Sequence, residues 1–256
     1  MESHLVIGDP HAKPHEDLWR FTALGNAIVD LKPTKVICMG DFNDMGSLSS
    51  YDKGKASFVT QSIQEDINAS HAALKLIRAP LLAKWKKDKK KSYNPEFIML
   101  GGNHDEGRID RTLEKNTELT GFLSLYALGY ETHEWTYVPY TLPIIIDGIA
   151  YCHHFASGIM GKPIGGKYVA KSLIDTNLMS STVGHDHGFD YDCRPRADGT
   201  MVHGLSAGCY TEDKPAYAEG AHKFWWRGLI LKTNVRDGDY SLKQFTMDEV
   251  KANWRH

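Results

Sequence analysis

The chain has 256 residues, of which 41% are hydrophobic and 24% are charged, and its formal net charge is −2. A chain of this length and balance can bury a sizeable core and fits one α/β domain. A net charge so close to zero gives no global attraction to nucleic acid or anionic membranes, so any recognition of phosphate has to be local.

Short apolar runs recur along the chain, and each ends in a turn rich in Gly, Asp or His. The clearest runs span residues 4–11, 35–44, 96–105 and 149–155. Runs of this length that are rich in Val and Ile predict strands buried on both faces. Between the first two runs, apolar residues recur at helical spacing from Leu18 to Ile28, and Pro33 follows. This order predicts a βαβ unit.

The later segments predict further helices and a hairpin. Residues 45–95 are predicted as a helical insertion, in which Pro80 is expected to break or kink the long helix. Residues 165–180 also have a helical pattern. Residues from about 224 to 247 predict a C-terminal β-hairpin that turns at Asp237 and Gly238. Without repeats or a linker, the prediction is a single domain over residues 1–256.

Polar side chains follow directly after the predicted strands. In a mostly parallel sheet the carboxyl ends of the strands share one edge, where open α/β folds place their sites. We therefore expect these side chains to converge. They are Asp9, His11, Asp41, Asp44, Asn103, His104, Asp105 and His153, together with His185 and His187 from the GHDH of residues 184–187.

This combination of residue types predicts a metal site. Carboxylate, amide oxygen and imidazole suit borderline divalent metals, and the absence of cysteine from the set argues against a structural zinc. Ligand clusters at several strand ends exceed what one ion needs, whereas two ions that share a carboxylate would use them all. The prediction is two divalent ions, with manganese favoured and iron, zinc or nickel as alternatives.

The motifs DPH, GDFND, GNHD, HH and GHDH occur in this order over residues 9–187. They resemble the pattern DxH, GDxxD, GNH(D/E), H and GHxH of the calcineurin-like metallophosphoesterase superfamily. The resemblance implies an α/β fold that is a four-layer α-β-β-α sandwich of two mixed sheets. The stretches MGSLSSYDKGK and GIMGKPIGG also resemble a group of bacteriophage-encoded members.

The resemblance also implies a role for each matched residue. The first ion would be held by Asp9, His11, Asp41 and His187. The second would be held by Asn103, His153 and His185, with Asp41 as the bridge. His104 would be the catalytic imidazole beside the phosphorus, and Asp44 would orient it. Most relatives have His-Gly where this chain has His153 and His154. Alignment favours His153 as the ligand, and strand alternation would point His154 to the other side; the alternative is that His154 is the ligand in its place.

The implied activity is hydrolysis of a phosphoester by in-line attack of a hydroxide that bridges the two metals. Met45 and Asp105 stand where the protein phosphatases of the superfamily carry Arg and Glu, which favours a phosphodiesterase or nuclease acting on nucleic acid or a nucleotide. The alternative is a phosphomonoesterase acting on nucleotides or phosphoproteins. A non-catalytic interaction scaffold is less favoured, because the full ligand set and the catalytic imidazole are present.

Basic residues that follow the motif strands are candidates for substrate binding. The first choices are Arg108 and Lys162, and the others are Lys53, Lys55, Arg111 and Lys167. The glycine-rich loop at 158–167 predicts either a phosphate cradle or a bare turn. The run KWKKDKKK (84–91) precedes a strand and so enters at the opposite sheet edge, which indicates a solvated helix end. Trp225 and Trp226 are interpreted as packing residues.

The remaining features predict the compartment. No apolar run approaches the roughly 20 residues that a membrane helix needs, and MESHLVIGDP lacks the layout of a secretory signal. The cysteines have no CxxC spacing, and Cys38 and Cys152 lie in apolar runs, where cysteine behaves as a small hydrophobe. We expect a cytoplasmic protein without a membrane partner, in the bacterial host if it is phage-encoded.

Overall fold

The computed structural model describes residues 1–50, 54, 61–212 and 220–256. The strands are β1 (Glu2–Ile7), β2 (Lys35–Cys38), β3 (Glu96–Leu100), β4 (Thr136–Val138), β5 (Ile144–Ile146), β6 (Ile149–Tyr151), β7 (Ser181–Val183), β8 (Phe189–Pro195), β9 (Met201–Ala207), β10 (Gly228–Arg236) and β11 (Asp239–Thr246). The α-helices are α1 (Trp19–Leu31), α2 (Ile63–Asp88), α3 (Glu106–Lys115), α4 (Val169–Asn177) and α5 (Met247–Trp254).

These strands form two mixed sheets. The first has the order β11-β10-β1-β2-β3-β4, in which β1 to β4 are parallel. β10 pairs antiparallel with β1, and β11 pairs antiparallel with β10. The second has the order β5-β6-β7-β9-β8, in which β6, β7 and β9 are parallel and β5 and β8 are antiparallel edges. The predicted α/β class is confirmed at this level.

Both faces of the first sheet are buried, as its apolar runs predict. On β2, Val36 and Cys38 point into a core shared with α1, α2 and α5. The alternate residue Ile37 points into a second core, which includes Tyr151 and Leu205 of the other sheet. Because side chains alternate along a strand, one continuous apolar run serves both cores.

The far face of the second sheet is covered by α4, where Leu173 packs on Val183 of β7. The layers are therefore helices, first sheet, second sheet and helix. This is an α/β sandwich in which the carboxyl ends of β1, β2 and β3 lie beside those of β6 and β7.

The predicted break at Pro80 does not occur, because α2 continues through it to Asp88. At this point α2 packs closely on α1: a Cβ added to Gly25 would lie 2.5 Å from the Ile77 carbonyl oxygen and 2.8 Å from Cδ of Pro80. Burial against α1 offsets the hydrogen bond that proline removes. The described part of the 45–95 segment thus belongs to the outer helical layer.

The predicted C-terminal hairpin corresponds to β10 and β11. They are joined by Asp237 and Gly238, whose φ angles are 51° and 89°. Two positive φ values are what a two-residue type I′ turn requires, which explains the Asp-Gly pair. Among the described residues no helix is both long enough and apolar enough to span a bilayer.

Candidate metal centre

The polar residues that follow β1, β2, β3, β6 and β7 meet at one edge of the sandwich. Three groups of side chains there have ligand atoms that all lie within 4.8 Å of one another. The groups are Asp9–His11–His187, Asp9–Asp41–His153 and His11–Asp41–His104. Because the groups share members, they form one continuous cluster, and these Asp and His side chains could hold a metal ion.

Asp9, His11 and His187 form the first corner of the cluster. Nε2 of His11 lies 3.1 Å from Nε2 of His187, and that second nitrogen lies 3.2 Å from Oδ2 of Asp9. The other carboxylate oxygen of Asp9 is buried and has no hydrogen-bond partner among the described residues. A buried charged oxygen without a partner is costly, so this corner fits a cation.

The second corner is built around Asn103. Its Oδ1 lies 2.9 Å from Nε2 of His153 and 2.8 Å from Nδ1 of His185. Nδ1 of His153 donates to the backbone oxygen of Met39 at 2.8 Å, which leaves the Nε2 lone pair facing the cluster. Ligating histidines are usually held in this way by a backbone carbonyl. The geometry therefore favours His153 over His154 as the ligand.

Asp41 lies between the two corners. Its Oδ2 is 3.5 Å from Nε2 of His153, and its Oδ1 accepts a hydrogen bond from the backbone of His104 at 2.7 Å. Burial alone would raise the pKa of Asp41, but the charges of His153, His104 and His11 outweigh burial and lower it. Asp41 therefore presents an ionised carboxylate between the two corners.

His104 and Asp44 form a pair beside the first corner. Nδ1 of His104 lies 2.9 Å from Oδ1 of Asp44, and the His104 side chain is 15% exposed. Burial would raise the pKa of Asp44, but hydrogen bonds from His104 and His11 hold it well below its ordinary value. The ionised Asp44 accepts a hydrogen bond from Nδ1 of His104. Nε2 of His104 is therefore directed toward the cluster and lies 3.9 Å from Oδ2 of Asp41.

The backbone around these residues is strained. The non-glycine residues His11, Asp41, His185 and His187 have φ angles of 47°, 48°, 69° and 58°. Left-handed conformations at non-glycine residues are uncommon and concentrate at functional sites. The strain at successive turns therefore supports a functional role for this edge.

Two motif glycines allow the carboxylates to approach the neighbouring turns. A Cβ on Gly102 would lie 2.1 Å from Oδ1 of Asp41, and a Cβ on Gly184 would lie 2.3 Å from Oδ1 of Asp9. Both distances are far shorter than a van der Waals contact. Any larger residue would displace a proposed ligand.

Asp105 does not join the cluster. Its Oδ1 accepts hydrogen bonds from the backbone of Gly102 at 2.7 Å and of Glu106 at 2.8 Å, and its Oδ2 accepts from the Tyr130 hydroxyl at 3.0 Å. The expectation that Asp105 converges with the ligands was wrong. It caps α3 instead, and with the backbone of Phe42, which donates to Oδ2 at 3.1 Å, four donors satisfy its carboxylate.

Arg20 positions the first corner and was missed by sequence reasoning. It is buried and donates to the backbone oxygens of Pro10 at 2.8 Å and of His11 at 3.1 Å. It is also ion-paired with Glu16 at 2.8 Å. The available signal was that Arg20 lies four residues before Leu24, on the buried face of α1.

The predicted substrate-binding residues have mixed surroundings. Arg108 donates to the backbone oxygens of Asp44 and Met45, so its guanidinium holds the Asp44 loop. Lys162 is exposed on the loop before α4, and its backbone oxygen accepts from Ser157 at 2.6 Å. Arg111 donates to the backbone oxygen of Asn103 at 3.1 Å. Lys53 and Lys55 lie outside the described residues.

The tryptophans beside the hairpin pack as predicted. Trp226 packs against the core between the sheets, and its backbone donates to the carbonyl of His187 at 2.9 Å. The ring of Trp225 lies 4.2 Å from that of His187. Both therefore support the turn that carries this histidine.

Comparisons with known proteins do not name a function. No family model matches the chain, and no curated protein matches it. One solved structure is 14% identical and covers 96% of this chain and 99% of its own, with a TM-score of 0.36. A likeness at this level carries no argument, so the functional case rests on the cluster itself.

Proposed function

We propose that this chain is a metal-dependent phosphoester hydrolase with the calcineurin-like metallophosphoesterase fold, and that its preferred substrate is a phosphodiester. The observation that carries the proposal is the position of Asp41 between two corners of imidazoles, with the His104–Asp44 pair beside it. The proposed ligands are Asp9, His11, Asp41 and His187 at the first corner, and Asn103, His153 and His185 with Asp41 at the second.

The residues present fit two divalent cations. Oδ1 of Asp9 is buried without a hydrogen-bond partner among the described residues, and the facing nitrogens of His11 and His187 lie 3.1 Å apart, which supports a cation at this corner. Carboxylate, amide and imidazole ligands favour manganese, with iron, zinc or nickel as alternatives. Such ions would lower the pKa of a water molecule from about 15.7 toward about 7 and neutralise the phosphoryl oxygens.

The chain itself would supply the proton for the leaving oxygen. His104 is partly exposed and its Nδ1 donates a hydrogen bond to Asp44, so in the imidazolium form Nε2 would be free to donate its proton to the substrate. Because the pKa of Asp44 is held well below its ordinary value, Asp44 stays ionised and stabilises the imidazolium. A positioned general acid of this kind contributes about 10²–10⁴-fold to the rate.

The preference for a diester is argued from the cationic side chains around the cluster, which already contact other groups of the protein. Met45 is fully buried where related phosphatases carry an arginine. Arg108 is bound to two backbone carbonyls, and Lys13 lies 3.7 Å from Asp44. A monoester carries up to two negative charges near neutral pH and needs more cationic contacts than the single charge of a diester.

The proposal is tested with two chromogenic substrates. Purified protein is stripped of metal, reloaded with manganese, and assayed on bis(p-nitrophenyl) phosphate and p-nitrophenyl phosphate. We expect about two bound ions per chain by elemental analysis, and faster release from the diester. Asp41→Asn should lose both metal and activity, whereas the exposed Asp198→Asn should keep both.

Two results would contradict the proposal in different ways. Faster release from the monoester would leave a metallohydrolase but replace the diester by a monoester. A chain that retains no metal and hydrolyses neither compound would remove the proposed function altogether.

A further inference from the structure

His154 lies on the same side as the ligands, contrary to the expected strand alternation. β6 ends at Tyr151, so the backbone is no longer extended at the two histidines. The ring of His154 is 5.3 Å from that of His185, and the ring of His153 is 5.2 Å from it. The residue that occupies a glycine position of the resembled family therefore stands beside the second corner.

Tyr140 completes an aromatic pair with His154. Its ring lies 5.4 Å from that of His154 and 5.9 Å from that of His153. The backbone of Tyr140 donates to the carboxylate of Glu106, which also accepts from the hydroxyl of Tyr137. These bonds hold the start of the Tyr140 side chain at the edge of the second corner.

His154 offers a hydrogen bond that the described part of the protein does not use. Nδ1 of His154 is buried and has no partner among the described residues, although the side chain as a whole is only half-buried. Tyr140 is also half-buried. A buried polar atom without a partner is costly unless a ligand or water completes it.

The position of the general acid assigns a direction to the substrate. His104 lies beside the first corner, so the leaving oxygen of a bound phosphoester would point there. In an in-line displacement the attacking and leaving oxygens are opposite each other, and the remaining groups on phosphorus point sideways. The second corner, with His153 and His185, is where a group that stays on phosphorus can lie.

We propose that His154 and Tyr140 form a subsite for the ester group that remains on phosphorus in a diester, with His154 as a specificity-determining residue. The proposal rests on the proposed function above. An imidazole and a phenol provide hydrogen bonds and ring surface, which suit an organic substituent such as a sugar or an aromatic ring. A monoester or inorganic phosphate has no such substituent, so the subsite discriminates in favour of diesters.

The test compares His154→Gly with the parent protein on both chromogenic substrates. We expect KM for bis(p-nitrophenyl) phosphate to rise about tenfold, the cost of one lost hydrogen bond or ring contact. We expect kcat on p-nitrophenyl phosphate to remain within about twofold, because the smaller substrate does not reach the subsite. His154→Gln should restore part of the diester KM, and His256→Gly is the matched control at an exposed histidine.

A binding measurement separates this subsite from turnover. In the His104→Ala background, calorimetry with manganese-loaded protein should give about tenfold weaker binding of bis(p-nitrophenyl) phosphate when His154→Gly is added. Binding of inorganic phosphate should be unchanged. Tyr140→Phe keeps the ring and should have the smaller effect of the two substitutions, and elemental analysis should find the metal content of all variants unaltered.

The outcomes are distinguishable. If the parent binds metal and hydrolyses the diester but His154→Gly changes binding of diester and phosphate equally, or changes neither, the subsite is wrong and the proposed function stands. Loss of metal from both His154→Gly and His154→Gln would make His154 a ligand and also overturn the subsite. A parent protein without phosphoesterase activity would overturn both proposals.

Discussion

At the scale of single residues, the site is built from side chains that are unfavourable unless something binds them. Asp9 and Asp41 are fully buried carboxylates, and the turns that carry the ligands include four left-handed non-glycine residues. Each left-handed non-glycine residue costs about 1–3 kcal/mol of folding free energy, which the surrounding structure has to offset. Hydrogen bonds from Arg20 to the carbonyls of Pro10 and His11 are one visible part of that compensation.

His104 belongs to one of the three close groups, so a substitution is needed to decide whether it acts as an acid or as a metal ligand. His104→Ala should lower kcat by about 10²–10⁴-fold, since a positioned proton donor is lost. The metal content measured by elemental analysis should stay at the parent value. Loss of metal together with activity would instead make His104 a ligand.

Asp44→Asn is the companion to this variant. An asparagine keeps the size of the side chain but cannot stabilise an imidazolium, so kcat should fall while the metal remains bound. A rate equal to that of the parent would remove Asp44 from the proposed mechanism.

At the scale of elements, β10 carries an unusual buried charge. Lys232 pairs with His4 of β1 and is fully buried between the sheets. Its Nζ donates to the hydroxyls of Thr182 at 2.5 Å and Tyr151 at 3.1 Å, which belong to the second sheet. Burial lowers the pKa of Lys232 well below its ordinary value.

The lowered pKa of this lysine predicts a dependence of stability on pH. Because the pKa of Lys232 is lower in the folded chain than its value of about 10.4 in the unfolded chain, the parent's free energy of unfolding should rise with pH between the two pKa values. The slope from one such group is at most about 1.4 kcal/mol per pH unit. Lys232→Met should lack this slope between pH 7 and 9 in urea denaturation with EDTA.

Lys243→Met is the matched control, because Lys243 is an exposed lysine on β11. It should keep the parent's slope. Equal slopes for the parent and Lys232→Met would show that the buried amine keeps its proton on folding.

At the scale of the whole molecule, the cluster joins the two sheets. Asp9, Asp41 and His104 follow strands of the first sheet, whereas His153 and His187 follow strands of the second. An ion held by all of them would link the layers directly. Metal binding should therefore stabilise the folded chain as a unit.

Calorimetry on metal-free protein measures this link. Adding manganese should raise Tm. The free energy of unfolding should increase by about 2.7 kcal/mol when the free metal is about one hundred times its Kd. Asp41→Asn should lose most of the shift, while Asp198→Asn should keep it. A Tm that does not change with manganese would mean that the cluster binds no ion in the folded state.

Much of the fold was predictable because local patterns determine local backbone. The runs that became β1, β2 and β3 are short, apolar, rich in Val and Ile and without alternation, which is typical of strands buried on both faces. Asp237 and Gly238 predicted their hairpin because few residue pairs tolerate two positive φ values. The placement of polar residues after successive strands likewise predicted a shared edge, since parallel strands have their carboxyl ends on one side.

Sequence alone thus determined the α/β class, the burial of the parallel strands and most of the residues that meet at the edge. The tertiary structure decided how individual side chains are used. It placed His153 in the cluster and His154 beside it, turned Asp105 into a helix cap, bound Arg108 to backbone carbonyls and carried α2 through Pro80. The reason is physical: beyond the end of a strand, the direction of a side chain and the partner of a buried polar group depend on neighbours distant in the chain, which local periodicity does not encode.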